Sequence, residues 1–266
     1  MKKHKLVLVV AILAFSVLAC QLGEIGLGQM VRGSGDVVEE TRTVSGISGV
    51  ELATLGHLFI EVGNTESLRI EAEDNLMEHL ETEVRGGRLR IGTRGNVNLL
   101  PTEPVNYYLT VTGLEAIAIS SSGNIQAPDL EADRFSVTIS SSGNLDMGDI
   151  TTDRLTVGIS SSGNVMIGIL NAEALEVNIT SSGNLDIVGG QVETQNITIS
   201  SSGNYKAQDL ESAEAEARLS SNGSATIWVS DSLRANLSSS GDLRYRGNPT
   251  VEANTSSSGD VVRIGE

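Results

Sequence analysis

Residues 155–167 read LTVGISSSGNVMI, and residues 175–187 read LEVNITSSGNLDI. In both, apolar side chains alternate with polar ones on either side of a Ser-Ser-Gly-Asn phrase: Leu155, Val157 and Ile159 precede one copy, and Val165 and Ile167 follow it. A period of two marks strands with one buried face. Working outward, the phrase returns at Ile119 to Asn124, Ile139 to Asn144, Ile199 to Asn204, Leu219 to Ser224, Leu237 to Asp242 and Thr255 to Asp260. Its glycines are Gly123, Gly143, Gly163, Gly183, Gly203, Gly223, Gly241 and Gly259, a spacing of 20 residues for five steps and 18 for two. A fixed period of this size signals a solenoid, in which each unit buries its apolar face only against its neighbours. The sequence therefore predicts an all-β, single-stranded parallel β-helix with coils of about 20 residues. At about 4.8 Å per coil, seven steps span about 34 Å.

The alternation assigns faces. Val157, Ile159, Val177 and Ile179 point inward, and Thr156, Glu176 and Asn178 point outward. The phrase itself reads as a structural turn. Its glycines are expected at positive φ, and the residues after them, Asn124, Asn144, Asn164, Asn184, Asn204, Asp242 and Asp260, tolerate the left-handed region. Continuing the alternation puts Ser121, Ser141, Ser161, Ser181, Ser201, Ser221, Ser239 and Ser257 in one inward column. That column is expected to form a hydroxyl ladder rather than a serine-lined ligand groove.

At the amino terminus Lys2, Lys3, His4 and Lys5 precede an apolar run from Leu6 to Phe15 and then Val17-Leu18-Ala19-Cys20. The run is short for a bilayer span, which makes residues 1–19 a signal peptide. The last four residues resemble a bacterial lipobox, and Cys20 is the sole cysteine of the chain. Cys20 is the expected lipidation site and the membrane the expected partner, because several acyl chains anchor firmly where one is marginal. Residues 20–30 form a tether, and residues 31–266 form one domain: irregular first coils and cap over 31–112, regular coils over 113–266. Asp74 or Asn75 is expected to cap a short helix ending by Leu80.

The segment RGSGDVVEETRTVSGI at 32–47, followed by Val50-Glu-Leu52, by IEAEDNL at 70–76 and by ETEVR at 81–85, resembles the bacterial family called "putative auto-transporter adhesin, head GIN domain". The Ser-Ser-Gly-Asn coils are similar to its later part, so the likeness covers nearly all of 31–266. It implies a right-handed β-helix on the cell envelope with no established activity. The lipobox, rather than a membrane barrel of amphipathic strands, is the expected anchor.

The chain carries 18 basic and 34 acidic side chains, a net charge of -16, which argues against nucleic acid as a partner. Aromatic residues make up 3%, so stacking platforms are few. His57 and His79 lack metal-ligand spacing, and a serine nucleophile would have only these or Lys206 as its base. No phosphate loop is present, and no cofactor or catalytic residue is assigned. Aligned by coil, Asp133, Asp153, Glu173 and Glu193 form an acidic file, read as a solvated face with a cation site as the alternative. A second file, Asp129, Asp149 and Asp209, reads as turn chemistry.

Two functions follow. The favoured one is a non-enzymatic, exported and lipid-anchored envelope protein serving adhesion, scaffolding or sensing, with an envelope protein or a polysaccharide as partner. The alternative is a carbohydrate-active β-helix enzyme, which would need carboxylates facing each other across a sugar. The least regular coils carry Tyr205, Trp228, Arg244, Tyr245 and Arg246 and are the first place to look for a groove. The last coil, 251–264, offers open strand groups and is expected to dock on a partner or on a second copy as a homodimer.

Overall fold

The computed structural model describes residues 29–256 and 258–265. The expected signal peptide over 1–19, Cys20, residues 21–28 of the expected tether, Ser257 and Glu266 lie outside the described residues. Strands hold 69% of the described residues, wound into a β-solenoid of about 7 turns with coils of roughly 20 residues.

Alternation becomes coils through in-register parallel pairing. Val137 lies beside Val157, Val157 beside Val177, Val177 beside Ile197, and Ile197 beside Ala217. Each is buried, as are Ile159 and Ile179, while Thr156, Glu176 and Asn178 are partly exposed on the outside. A coil has three short sides, seen separately in Asn124–Ala127, Leu130–Glu131 and Arg134–Ile139. Later coils run through the corners as single long strands such as Asn164–Ile179 and Asn184–Ile199. The change of period from 20 to 18 is absorbed at a corner: the register holds at Ala207 and Ile227, shifts before Glu211 and Trp228, and shifts again before Glu214 and Ser232. The strands on the other two sides keep their inward residues in line.

Apart from a separate two-stranded sheet of Gln29–Arg32 and Val97–Leu100, the strands before the regular coils belong to the same sheet, and their buried apolar residues to the same core. Gly49–Ala53 and His57–Val62 form a coil that pairs in parallel with Ala116–Ile119 and Asn124–Ala127. Beyond it the pattern turns antiparallel, with Leu80–Arg85 on Arg88–Thr93, Ser67–Glu73 on Asn106–Val111, and Val37–Arg42 on Ser67–Glu73. These hairpin-like strands close the amino-terminal end of the column. The first described strand, Gln29–Arg32, pairs with Val97–Leu100, so strand structure begins at Gln29, inside the expected tether.

The expected helix is a single turn, Asp74–Met77, with Glu73 rather than Asp74 or Asn75 at its N-cap position. The Glu73 carboxylate makes no cap bond. Instead it accepts hydrogen bonds from Gly35 N–H at 2.7 Å, Thr102 N–H at 2.9 Å and Thr102 Oγ1 at 2.5 Å, tying three loops together. Desolvation pulls its pKa up, but these donors outweigh it and hold the carboxyl below the usual range.

The motif glycines correct the sequence reading. None of the eight has positive φ. A Cβ at Gly203 would instead come within 2.5 Å of Gly183 O and 2.9 Å of Ser181 O in the coil before. Gly183 O accepts Asn204 N–H at 3.3 Å. The glycine column is therefore a seam where successive turns touch backbone to backbone. The residues at left-handed φ in this region are Ser221 (91°) and Ser239 (86°), in the late coils where the period shortens.

Candidate functional site

Because every second residue faces outward and every coil repeats the register, side chains on one side form straight files. On the side begun by Asn124–Ala127 there are two. The first runs Asn106, His57, Asn124, Asn144, Asn164, Asn184, Asn204, Ser224. The second runs Arg69, Tyr108, Phe59, Gln126, Asp146, Met166, Asp186, Lys206.

The first file is an amide ladder. Asn144 Nδ2 donates to Asn124 Oδ1 at 3.0 Å, Asn164 to Asn144 at 2.8 Å, Asn184 to Asn164 at 2.7 Å, and Asn204 to Asn184 at 2.8 Å. Ser224 Oγ ends the run on Asn204 Oδ1 at 2.6 Å. The expected serine ladder does not form: among the described residues no hydrogen bond joins the hydroxyls of Ser121, Ser141, Ser161, Ser181, Ser201, Ser221 and Ser239, and Ser257 lies outside them. The reason is reach. An amide carries a donor and an acceptor on a two-carbon stem and spans the rung spacing of about 4.8 Å, whereas a hydroxyl on Cβ falls short.

The second file opens with an aromatic stack. The Phe59 and Tyr108 rings lie 5.4 Å apart at 18°, the Arg69 guanidinium sits 4.0 Å over the other face of Tyr108, and His57 lies 6.4 Å from Phe59. Arg69 also pairs with Glu71 and with Glu39 at 3.2 Å, and Tyr108 Oη donates to Glu71 at 3.0 Å. The bonded Arg69 guanidinium holds the Glu71 carboxyl below its ordinary range, while desolvation and then the bond to Glu71 push the Tyr108 phenol up. This cluster fixes the ring of Tyr108, and through it the ring of Phe59.

Past Phe59 the side chains shorten, and a groove of about 490 Å³ opens. His57 and Phe59 form one wall, Asn124, Asn144 and Gln126 the floor, and Met166, with Asp186 one rung beyond it, the far side; Asp146 and Asp186 are its carboxylates. From Phe59 to Met166 is three rungs, about 14 Å at the spacing of strands.

A family profile described as "putative auto-transporter adhesin, head GIN domain" matches residues 47–168 and 147–249. The chain belongs to this family. Solved structures with the same fold include a "putative lipid binding protein" from Parabacteroides distasonis, TM-score 0.81, 22% identical over 89% of this chain and 100% of that one. A "putative adhesin" from Parabacteroides merdae has TM-score 0.80 and 20% identity over 89% and 99%. Another from Parabacteroides distasonis has TM-score 0.78 and 19% identity over 89% and 100%. No curated protein matches the chain. The family places the protein among exported, surface-associated proteins.

Within this head GIN domain, the acidic file is aligned and exposed: Asp153 N–H donates to Asp133 O at 3.1 Å, and all four carboxylates face solvent. Among the described residues no group of three or more His, Cys, Asp or Glu is arranged to hold a metal ion. The Asp129 and Asp149 carboxylates accept the backbone N–H of Asp149 and Ile169 in the following coil, at 2.8 and 2.7 Å. The third member, Asp209, pairs instead with Arg246 at 2.7 Å.

The late coils carry grooves of about 630 Å³ beside Arg218, Asn236 and Asn254 and about 480 Å³ beside Glu214, Arg234 and Glu252, but Tyr205, Trp228, Arg244, Tyr245 and Arg246 line neither. Arg246 lies 4.9 Å over Trp228. Tyr205 is fully buried, its hydroxyl donating to Gln195 Oε1 at 2.8 Å, and desolvation raises its pKa. The opposite end of the solenoid carries the aromatic platform. The sequence signal was present in retrospect: Phe59 and Tyr108 sit out of phase with their buried neighbours Leu58, Ile60, Tyr107 and Leu109.

Proposed function

We propose that this head GIN domain is a non-enzymatic, lipid-anchored envelope module of adhesin type, which holds a ligand on the outer side of its coils without transforming it. The observation that carries this reading is the outward file running from Arg69 to Lys206, an in-register surface of aromatic, polar and charged side chains, one per rung, on a buried core. Anchoring rests on the lipobox ending at Cys20. The nine steps from Cys20 to Gln29 reach at most about 30 Å when extended, which keeps the capped end of the solenoid near the bilayer.

Recognition is favoured over hydrolysis by the placement of carboxylates. Glycoside cleavage uses two carboxyl groups flanking the bond from opposite sides. Asp146 and Asp186 project from one side of the solenoid with Met166 between them, and Asp186 lies 3.6 Å from Lys206. Replacing Cys20 by serine tests the reading. The chain should leave the membrane fraction, and cells carrying it should lose adherence to immobilised host or envelope extracts. An unchanged membrane fraction, or equal adherence with and without the chain, would refute it.

A further inference from the structure

The groove beside Phe59 has walls and floor of different chemistry, and together they select a ligand. One face of the Phe59 ring is covered by Tyr108; the other borders the groove. The π face of an aromatic ring is electron-rich and attracts polarised C–H groups as well as apolar surface. His57 extends this wall sideways along the same strand.

The floor is made of amides held in place before any ligand arrives. An asparagine amide has two N–H donors and an oxygen with two lone pairs. In the ladder Asn144 and Asn164 each use one donor and one acceptor site on their neighbours, so a spare donor and a spare acceptor face outward on each rung. Asn124, nearest Phe59, accepts both Asn144 N–H at 3.1 Å and Asn144 Nδ2–H at 3.0 Å, and its own amide N–H groups make no hydrogen bond. Gln126 lies exposed one rung from Phe59. A donor beside an acceptor on one amide matches a pair of vicinal hydroxyls, each of which both gives and takes a hydrogen bond, and the pitch of about 4.8 Å repeats that offer on every rung.

Charge narrows the choice. Among the described residues no lysine or arginine lines the groove and two aspartates do, Asp186 with Lys206 3.6 Å away on the next rung and Asp146 with no such ion pair, and the whole chain carries -16. Phosphate, sulfate and uronate groups are repelled there. An acyl chain would leave the amides and carboxylates of the floor without partners. A neutral sugar meets every requirement: a C–H face for Phe59, and hydroxyls that donate to Asp146 and exchange hydrogen bonds with Asn124, Asn144 and Gln126.

We propose that the groove between Phe59 and Met166 is a binding site for neutral saccharide, with one ring stacked upright on Phe59 and its hydroxyl edge on the amide floor. The proposal deepens the adhesin-type reading by naming its ligand class, and it rests on that reading only for its biological use. The preformed ladder and the ring fixed through Tyr108 lower the ordering cost of binding.

The test is titration of the full chain, purified in detergent, with neutral oligomers of glucose, mannose, galactose and N-acetylglucosamine. Sulfated and uronate-bearing oligomers and phosphatidylcholine–phosphatidylglycerol vesicles serve as comparison probes, all followed by calorimetry and ligand-observed NMR. At least one neutral oligomer should bind saturably and the acidic ones should not. Phe59→Ala should weaken binding about tenfold or more, Phe59→Trp should retain it, and Ser136→Ala on another side of the coil should leave it unchanged. Matching urea midpoints for the Phe59 variants would show that folding is not the cause. Binding confined to acidic oligomers or vesicles, no saturable saccharide, or affinity indifferent to Phe59→Ala would overturn the proposal. Adherence that survives Phe59→Ala in cells but is lost with Cys20→Ser would leave the adhesin reading standing and remove the groove from it.

Discussion

Replacing Gly203 by alanine and, separately, by asparagine isolates what the glycine column does. A Cβ there would stand 2.5 Å from Gly183 O and 2.9 Å from Ser181 O, roughly 0.9 and 0.5 Å inside the 3.4 Å at which ordinary contact begins. Those two obstacles are backbone, a third and nearer one is the Cγ2 methyl of buried Ile179, and the seam is held by Asn204 N–H on Gly183 O at 3.3 Å, so relief requires opening the coil spacing. Overpacking of this kind costs about 1–3 kcal/mol. The opposing gain from a stiffer unfolded chain is about 0.4–1 kcal/mol. Gly203→Ala should therefore destabilise by about 1–2 kcal/mol, and the longer Gly203→Asn by more. Gly86 is the control: its φ is +56° and a Cβ would meet nothing within 4 Å. There alanine should cost about 1–2 kcal/mol for the left-handed backbone, and asparagine less. The order of the two substitutions thus reverses between the sites. Urea melts followed by far-UV circular dichroism and by the fluorescence of Trp228, the single tryptophan, read both. Asparagine tolerated at 203 as well as alanine, or alanine raising the midpoint, would refute the contact argument and restore a conformational role for the glycine.

Four further outcomes are expected. Val177→Asp should collapse several coils by stranding a charge in the core, whereas Glu176→Asp, one residue away on the outside, should shift the urea midpoint little; equal effects would contradict the register. Gln195 is buried and its Nε2 lacks a partner, so Tyr205→Phe alone should destabilise by about 1–3 kcal/mol by orphaning Oε1 as well, while Tyr205→Phe with Gln195→Leu should be near neutral in a double-mutant cycle. Glu73, with a lowered pKa in the fold, contributes stability above the ordinary glutamate range near about 4.3 that is lost as pH falls through its folded value. The drop in urea midpoint from neutral to acid pH should shrink in Glu73→Gln, and an unchanged drop would remove Glu73 from the account. At the carboxy-terminal end Thr250–Ser256 and Val261–Gly265 each pair on one side among the described residues, with Val251, Val262 and Ile264 exposed; sedimentation should show a concentration-dependent dimer that Val262→Lys weakens, and a strict monomer would dismiss it.

The regular coils were legible because parity and period are written directly in the residues: Val157, Val177 and Ile197 must share a face once alternation and a 20-residue repeat hold together. The contact between coils was less legible. Glycine serves both positive φ and close approach, and only the position of Gly183 O over Gly203 separates the two. Serine recurs in every coil and asparagine at the same position from Asn124 to Asn204, and the choice between them as ladder depends on side-chain reach. The aromatic wall was hidden for another reason. Phe59 and Tyr108 are 49 positions apart, and no repeat aligns them. They meet because Asn106–Val111 returns beside His57–Val62 after an antiparallel excursion through the cap. Tyr205, one of the residues named for a candidate groove, occupies the inward position of Leu185 in the preceding coil.

The most direct test of the central claim is native mass spectrometry of the intact chain after prolonged incubation with neutral oligosaccharides, recording bound and free ligand together. The account predicts a complex whose ligand keeps its starting mass, with the complex depleted in Phe59→Ala and no new sugar species in solution. Shortened or dehydrated sugar products would identify an enzyme, and the absence of any saccharide complex would remove the recognition surface; either result contradicts the account.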